Sequence, residues 1–191
     1  MLADGVTRLV VSPELGSALR AENNGFGQDI FIKGSFLPAE NGGETLQTVE
    51  FIPMLGGGTR LVNFSLPKAI GVVLGFQVDV DGNPVPATVQ SLGAAAQAAG
   101  ATPDAKGGFS LASVGAPSSL APEIKPAARP AAAASAQHLG MYWNDGVEFK
   151  KLYGTVDTTA NTVKAETPNF GKFQVRRVFR DAAATFDISN I

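Results

Sequence analysis

The chain has 191 residues, no cysteine and one histidine, so it is long enough to enclose a core unaided but offers no thiolate chemistry and no Cys-ligated metal. Lys and Arg total 15 against 17 Asp and Glu, and the net charge of -2 sets up no strong field to draw in nucleic acid or an anionic membrane. Charged residues are 17%, below the roughly 25% of an average soluble domain, a balance common in secreted β-proteins.

The opening, Met1 to Gly5, lacks the basic region and apolar stretch of a secretory leader. No apolar run approaches the ~18 residues of a membrane span. Arg8 to Val11 then reads as a short strand. Asp29 to Lys33 is β-rich and bounded by Gly27 and Gly34, and Thr48 to Pro53 carries Val49, Phe51 and Ile52. Gly56-Gly57-Gly58-Thr59-Arg60 lacks the Gly-Lys-Ser/Thr ending of a phosphate loop and precedes a strand, so it reads as a flexible hairpin loop. Val62, Phe64 and Leu66 alternate with Asn63 and Ser65, a period of two that predicts a half-buried strand ended by Pro67. Val72 to Val80 continues the alternation, with Phe76, Val78 and Val80 opposed by Gln77, Asp79 and Asp81. Asp81-Gly82-Asn83-Pro84 is a turn signal, and Val85 to Leu92 reads as a further short strand.

From Gly93 the composition shifts to Ala, Gly and Gln. Pro117, Pro122, Pro126 and Pro130 forbid a continuous helix or a central strand over 116–137, where extended, polyproline-like chain is expected. Phe109 to Ala112 is expected as an edge strand, and Gln90 to Ala101 is the one stretch allowed a short helix. Strands resume at Leu139 to Trp143, with a hairpin turn at Asn144-Asp145-Gly146. Val147 to Lys150 alternates, and Asp157 to Asn161 is the next turn. Thr162 to Thr167 places Val163 and Ala165 inward, Pro168 to Gly171 turns, and Lys172 to Phe179 is a last long strand. These readings predict an all-β protein, an antiparallel β-sandwich with a long Ala/Pro-rich insertion and at most one short helix. Residues 1–92 are expected to form its first part, 93–137 an insertion or linker, and 138–191 a C-terminal β-meander that completes it.

The chemistry-bearing residues are few. Asp79, Asp81 and Asn83 resemble the start of a calcium loop, making calcium the one cofactor the sequence suggests. The later acid that an EF-hand spacing demands is replaced by Gln90, and Asx residues beside Gly serve equally as a plain turn. Tyr142 and Trp143 are the candidate ligand-binding pair, by stacking on a sugar or peptide. His138 has no serine in a nucleophile-elbow context to serve, so no catalytic residue is assigned and no enzyme activity is expected. Arg176, Arg177 and Arg180 read as solvated strand-edge charges.

Leu139 to Val175 also carries a larger pattern. Tyr142-Trp143, Asp145-Gly146, Phe149, Leu152, Gly154, Val156-Asp157, Asn161-Thr162-Val163 and Phe170-Gly171-Lys172-Phe173 follow in order. This resembles a module of large bacterial secreted and surface proteins, similar to the β-sandwich shared by netrin receptors, ankyrins and tight-junction scaffold proteins. The resemblance implies a fold more than a function. It points to a non-catalytic structural or adhesion module of a longer extracellular or cell-surface protein, with neighbouring domains of the same polypeptide or other surface proteins as partners. The Ala/Pro-rich insertion departs from that pattern. Two alternatives stand beside this reading: a self-assembling filament or virion subunit, and a carbohydrate- or peptide-binding module. Neither nucleic acid nor membrane insertion is expected of any of the three.

Overall fold

The computed structural model describes residues 2, 4–20, 22, 24–38, 44–88, 102–103, 109–110, 136 and 138–178. In chain order the elements are β1 (Arg8–Val10), α1 (Pro13–Ala18), β2 (Ile30–Leu37), β3 (Thr45–Leu55), β4 (Ser65–Gly75), β5 (Gln77–Val78) and β6 (Pro84–Val85). There follow β7 (Thr102–Pro103), β8 (Phe109–Ser110), β9 (Leu139–Asn144), β10 (Phe149–Leu152), β11 (Gly154–Asp157), β12 (Thr162–Asn169) and β13 (Gly171–Arg177). The fold is all-β. A 4-stranded sheet of order β1-β4-β12-β11 faces a 5-stranded sheet of order β10-β9-β13-β3-β2, every pairing being antiparallel. Two small hairpins, β5-β6 and β7-β8, stand apart.

Period-two alternation explains the layers. In the larger sheet Val49, Phe173 and Trp143 lie side by side in register, as do Gln47, Val175 and Met141. In the smaller sheet Val72 pairs Ala165, and Leu74 pairs Val163. The inward side chains make one core of Val49, Phe51, Val72, Leu74, Phe76, Met141, Val163, Phe173, Val175 and their neighbours. Phe51 and Phe173 meet edge to face inside it, with ring centroids 6.0 Å apart. A second, smaller cluster of Leu15, Leu66 and Ile70 forms where α1 packs.

Several expectations are corrected. The strand predicted over 62–66 begins only at Ser65, and it runs through Pro67 rather than stopping there. Pro67 is tolerated because the β4–β12 register shifts between Asn169↔Ser65 and Thr167↔Ile70, and β1 pairs only with residues 71–73, so its missing N–H falls on an irregular stretch. The alternation through Val80 breaks at Phe76. Val80 instead sits in the β5-β6 turn, 94% exposed. Of the strand predicted over 85–92, only Pro84–Val85 pairs, and residues 89–92 lie outside the described residues. Phe109–Ser110 pairs with Thr102–Pro103, while the helix allowed over 90–101 and the tract over 116–135 also lie outside them.

A helix forms over Pro13–Ala18, set by a capping signal. Ser12 caps α1, its hydroxyl accepting from the Leu15 amide at 3.3 Å, and Pro13 occupies the first helical turn. Ser-Pro-Glu was the cue, and six residues with one buried leucine left no amphipathic stripe to see.

The C-terminal region is no meander. β10 and β11 are one bent path that changes sheet at Tyr153, which is 99% exposed, and the chain changes back at Phe170 between β12 and β13. β13 thereby inserts between β9 and β3, at the centre of the larger sheet.

These switches give the sandwich two unlike poles. At one pole lie the 56–64 connection after β3, the turn after β9 and the Asn169–Gly171 crossover. At the other lie the start of β1, the start of β3, the end of β4 and the end of β13. That pole is fastened by polar contacts. Asp4 accepts from the Thr7 amide at 2.8 Å and the Thr7 hydroxyl at 2.5 Å, and the Gly75 amide donates to the same hydroxyl at 3.0 Å. A Cβ at Gly75 would sit 2.5 Å from Val6 and 2.8 Å from Asp4, so only glycine admits this clasp. The Arg177 guanidinium donates to Pro84 O, the Ala87 amide to Leu46 O and the Val178 amide to His138 O.

The sheet switch depends on Gly154, where a Cβ would lie 2.1 Å from the Lys164 carbonyl oxygen. Gly154→Val should cost about 2–4 kcal/mol by forcing β11 off β12, read as a lower urea midpoint with an unchanged slope. Tyr153→Ser, one residue away and exposed, should leave the midpoint within about 0.5 kcal/mol of the parent.

Candidate binding cleft at the loop pole

At the loop pole the 56–64 connection, the Asn144–Glu148 turn and the Asn169–Gly171 crossover enclose a cleft of about 780 Å³. Each wall is held by local chemistry. The glycine-rich loop closes by the Leu55 amide donating to Thr59 O at 2.9 Å, with Gly58 at φ 85°. Asn63 adopts φ 55°, the left-handed region that asparagine tolerates better than most side chains. The expected hairpin turn at Asn144-Asp145-Gly146 is found, with Gly146 at φ 100°. Asn144 accepts from the Gly146 amide, and Asp145 accepts from Val147 and Glu148. Gly171 takes φ 126°, which lets the chain cross between sheets under Trp143.

The cleft is aromatic on one side. Phe64 and Phe170 stack with centroids 5.9 Å apart and a 22° interplanar angle, and Phe26 meets Phe64 at 6.2 Å. Trp143 stands beside them, its indole N–H donating to Phe170 O at 3.0 Å. On the other side Arg60 donates to Glu50 at 3.0 Å, and Lys150 to Asp145 at 2.6 Å. The Lys150 ammonium bonded to Asp145, helped by the Glu148 and Val147 amides, holds that carboxyl well below the usual carboxylate range; Asp145 in turn raises Lys150. Val62 and Val147 project from the rim, 76% and 92% exposed.

Of the two residues singled out for stacking, Trp143 lines this cleft and Tyr142 does not. Neighbours on a strand point to opposite faces, so the pair forms no joint platform. Tyr142 lies on the outer face, where Arg176 is held between its ring and that of Phe149, at 4.9 and 4.4 Å from the centroids. The reading of Arg176 as a solvated edge charge is corrected accordingly: β13 is central, and Arg176 donates to Gln174, which is itself fully buried. Arg180 lies outside the described residues.

Asp79, Asp81 and Asn83 come together, as a closed turn. Asp79 accepts from the amides of Asp81 and Asn83 at 2.9 and 2.8 Å, and from the Asn83 side chain at 3.4 Å. The Asn83 amide is the main cause of the lowered Asp79 pKa. Among the described residues no three His, Cys, Asp or Glu side chains converge as a metal site. His138 is exposed at the opposite pole, next to Leu139. Sequence reasoning missed Phe64, Phe170 and Asn63 as cleft residues, because their meeting depends on three segments far apart in the chain.

No protein-family model matches the chain, and neither a curated protein nor a solved structure matches it.

The Asp145 carboxyl is favoured in its charged form by folding, so its stabilising effect is complete above the unfolded-chain value of about 4 and fades as pH falls below that. Asp145→Asn should therefore lower the urea midpoint at pH 7, with the gap to the parent shrinking at pH 2.5. The same gap should narrow in 1 M salt, because the pair is partly exposed.

Proposed function

We propose that this chain is a non-catalytic adhesion module of a longer bacterial extracytoplasmic or cell-surface protein, displaying its loop pole to a partner. The observation that carries this reading is the polarity of the sandwich. β1 starts and β13 ends at the pole opposite the cleft. The residues flanking the Ala/Pro-rich stretch are anchored there too, Ala87 on Leu46 and His138 on Val178. A module strung end to end as a spacer gains most length when the chain passes in at one pole and out at the other. Here the described strands begin and end together, an arrangement that suits display of the opposite pole. The low charge fraction and the pattern over residues 139–175 support a place outside the cytoplasm.

Stiffness suits the role. Turns that close on their own Asx side chains present fixed loops, which limits the ordering entropy lost on binding. The exposed Val62 and Val147 at the rim support this pole as the contact surface.

A second reading, self-association, is favoured by one observation. β2 closes the larger sheet as an 8-residue edge strand, and Phe31 on it is 57% exposed. Light scattering of the purified chain separates the two: assembly that Phe31→Lys dissolves would favour the subunit reading over the displayed module.

Antibodies raised against the chain should label intact, unpermeabilised source cells. Beads coated with the chain should attach to cell-surface preparations, and Val62→Asp combined with Val147→Asp should reduce attachment at least five-fold while Tyr153→Ser does not. Labelling only after permeabilisation, or attachment indifferent to the pole, overturns the proposal.

A further inference from the structure

We infer that the loop-pole cleft binds an uncharged oligosaccharide. This rests on the displayed-pole reading and names the ligand class. Three observations lead to it.

The first is electrical. The lining side chains hold two acids, Glu50 and Asp145, and two bases, Arg60 and Lys172, and with Lys150, which neutralises Asp145, the balance is a single positive charge. Glu50 is bonded to Arg60, and Asp145 to Lys150. So small a balance makes only a weak field for a charged ligand, and both acids are already held in ion pairs.

The second is the mixture of surfaces. Phe64 and Phe170 give an apolar, aromatic wall with Trp143 beside it. Close by, the side-chain amides of Asn63 and Asn169 have no hydrogen-bond partner among the described residues. An amide presents one acceptor and two donors. A pyranose ring offers the complementary pattern, with a C–H face for an aromatic wall and an equatorial rim of hydroxyls that both donate and accept. The volume of about 780 Å³ falls within the roughly 300–1,000 Å³ of ordinary ligand sites and suits a short oligosaccharide better than a single sugar.

The third observation weighs against a peptide. Extended peptides are captured chiefly by the unpaired backbone of a sheet edge. This cleft lies at strand ends among turns; β3, β13 and β9 beneath it are paired on both sides, and β4, which β1 pairs only from residue 71, reaches it with Ser65 alone. A bound peptide's main chain would find no ladder there.

Trp143 is the only tryptophan, so its emission reports cleft occupancy without a label. The full chain would be titrated with cellotetraose, chitotetraose and mannotetraose, and in parallel with a polygalacturonate fragment and a mixed-sequence neutral peptide library. At least one neutral tetrasaccharide should change the emission saturably. Asn63→Ala and Asn169→Ala should each weaken that binding about ten-fold, the loss expected for a hydrogen bond left unmade. Phe64→Ala should weaken it more. Tyr142→Ala, on the opposite face, should leave it unchanged, and calorimetry repeats the measurement should a variant alter emission by itself. Saturable binding of the acidic fragment or of peptides alone overturns the inference, as does an emission indifferent to every sugar. In those cases bead attachment that still depends on Val62 and Val147 leaves the adhesion reading standing, whereas its loss removes both.

Discussion

Burial of one apolar face per sheet, against each other, is the constraint on which every other feature rests. Phe173 and Val175 sit on the central strand of the larger sheet, with Val49 and Met141 flanking them and Val72, Leu74 and Val163 opposite. Side chains on a strand alternate strictly, so a one-residue slip of β13 would turn Phe173 outward and Gln174 inward. Register is therefore fixed by the core. Register in turn sets where each strand ends, and so where the turns gather. The cleft is a by-product of the alignment of strand ends that the core enforces.

Between β10 and β13 the chain reaches this arrangement by changing sheets twice. Gly154 allows the first change, since a side chain there would strike the Lys164 carbonyl. Gly171 allows the second, through a backbone angle unfavourable for other residues. These two positions convert what reads as a run of local hairpins into an interleaved sandwich. Because β13 enters the sheet last and between two earlier strands, the larger sheet cannot close until nearly the whole described chain is in place. Its contacts join residues more than a hundred positions apart, as Gln174 and Thr48 do through a buried hydrogen bond. A topology so rich in distant pairings folds slowly for its size.

The two poles divide the work. One is tied by the Asp4–Thr7–Gly75 clasp and by Arg177 on Pro84, contacts that join both sheets to the flanking chain. The other is built of turns whose polar side chains mostly satisfy their own backbone, as at Asn144 and Asp145. Asn63 and Asn169 differ from these in having side-chain amides without a hydrogen-bond partner among the described residues, beside an aromatic wall. Hydrogen-bonding capacity held in reserve on a rigid scaffold is what recognition of a polar, uncharged ligand requires.

Local sequence determined the elements. The alternation of Val163 and Ala165 with Lys164, and of Phe173 and Val175 with Gln174, specified strands and their inward faces. Asx-Gly pairs at 82 and 146 specified turns, because glycine alone takes those angles cheaply. Such signals span only a few residues, so they are silent about which strand lies beside which. The sheet order, the tolerance of Pro67 within β4 and the placing of Arg176 between two rings were all decided by tertiary structure. The cleft belongs with them. Its aromatic wall joins Phe64, Trp143 and Phe170, residues without any shared local pattern, and only the stacking of one sheet on the other carries them to the same pole.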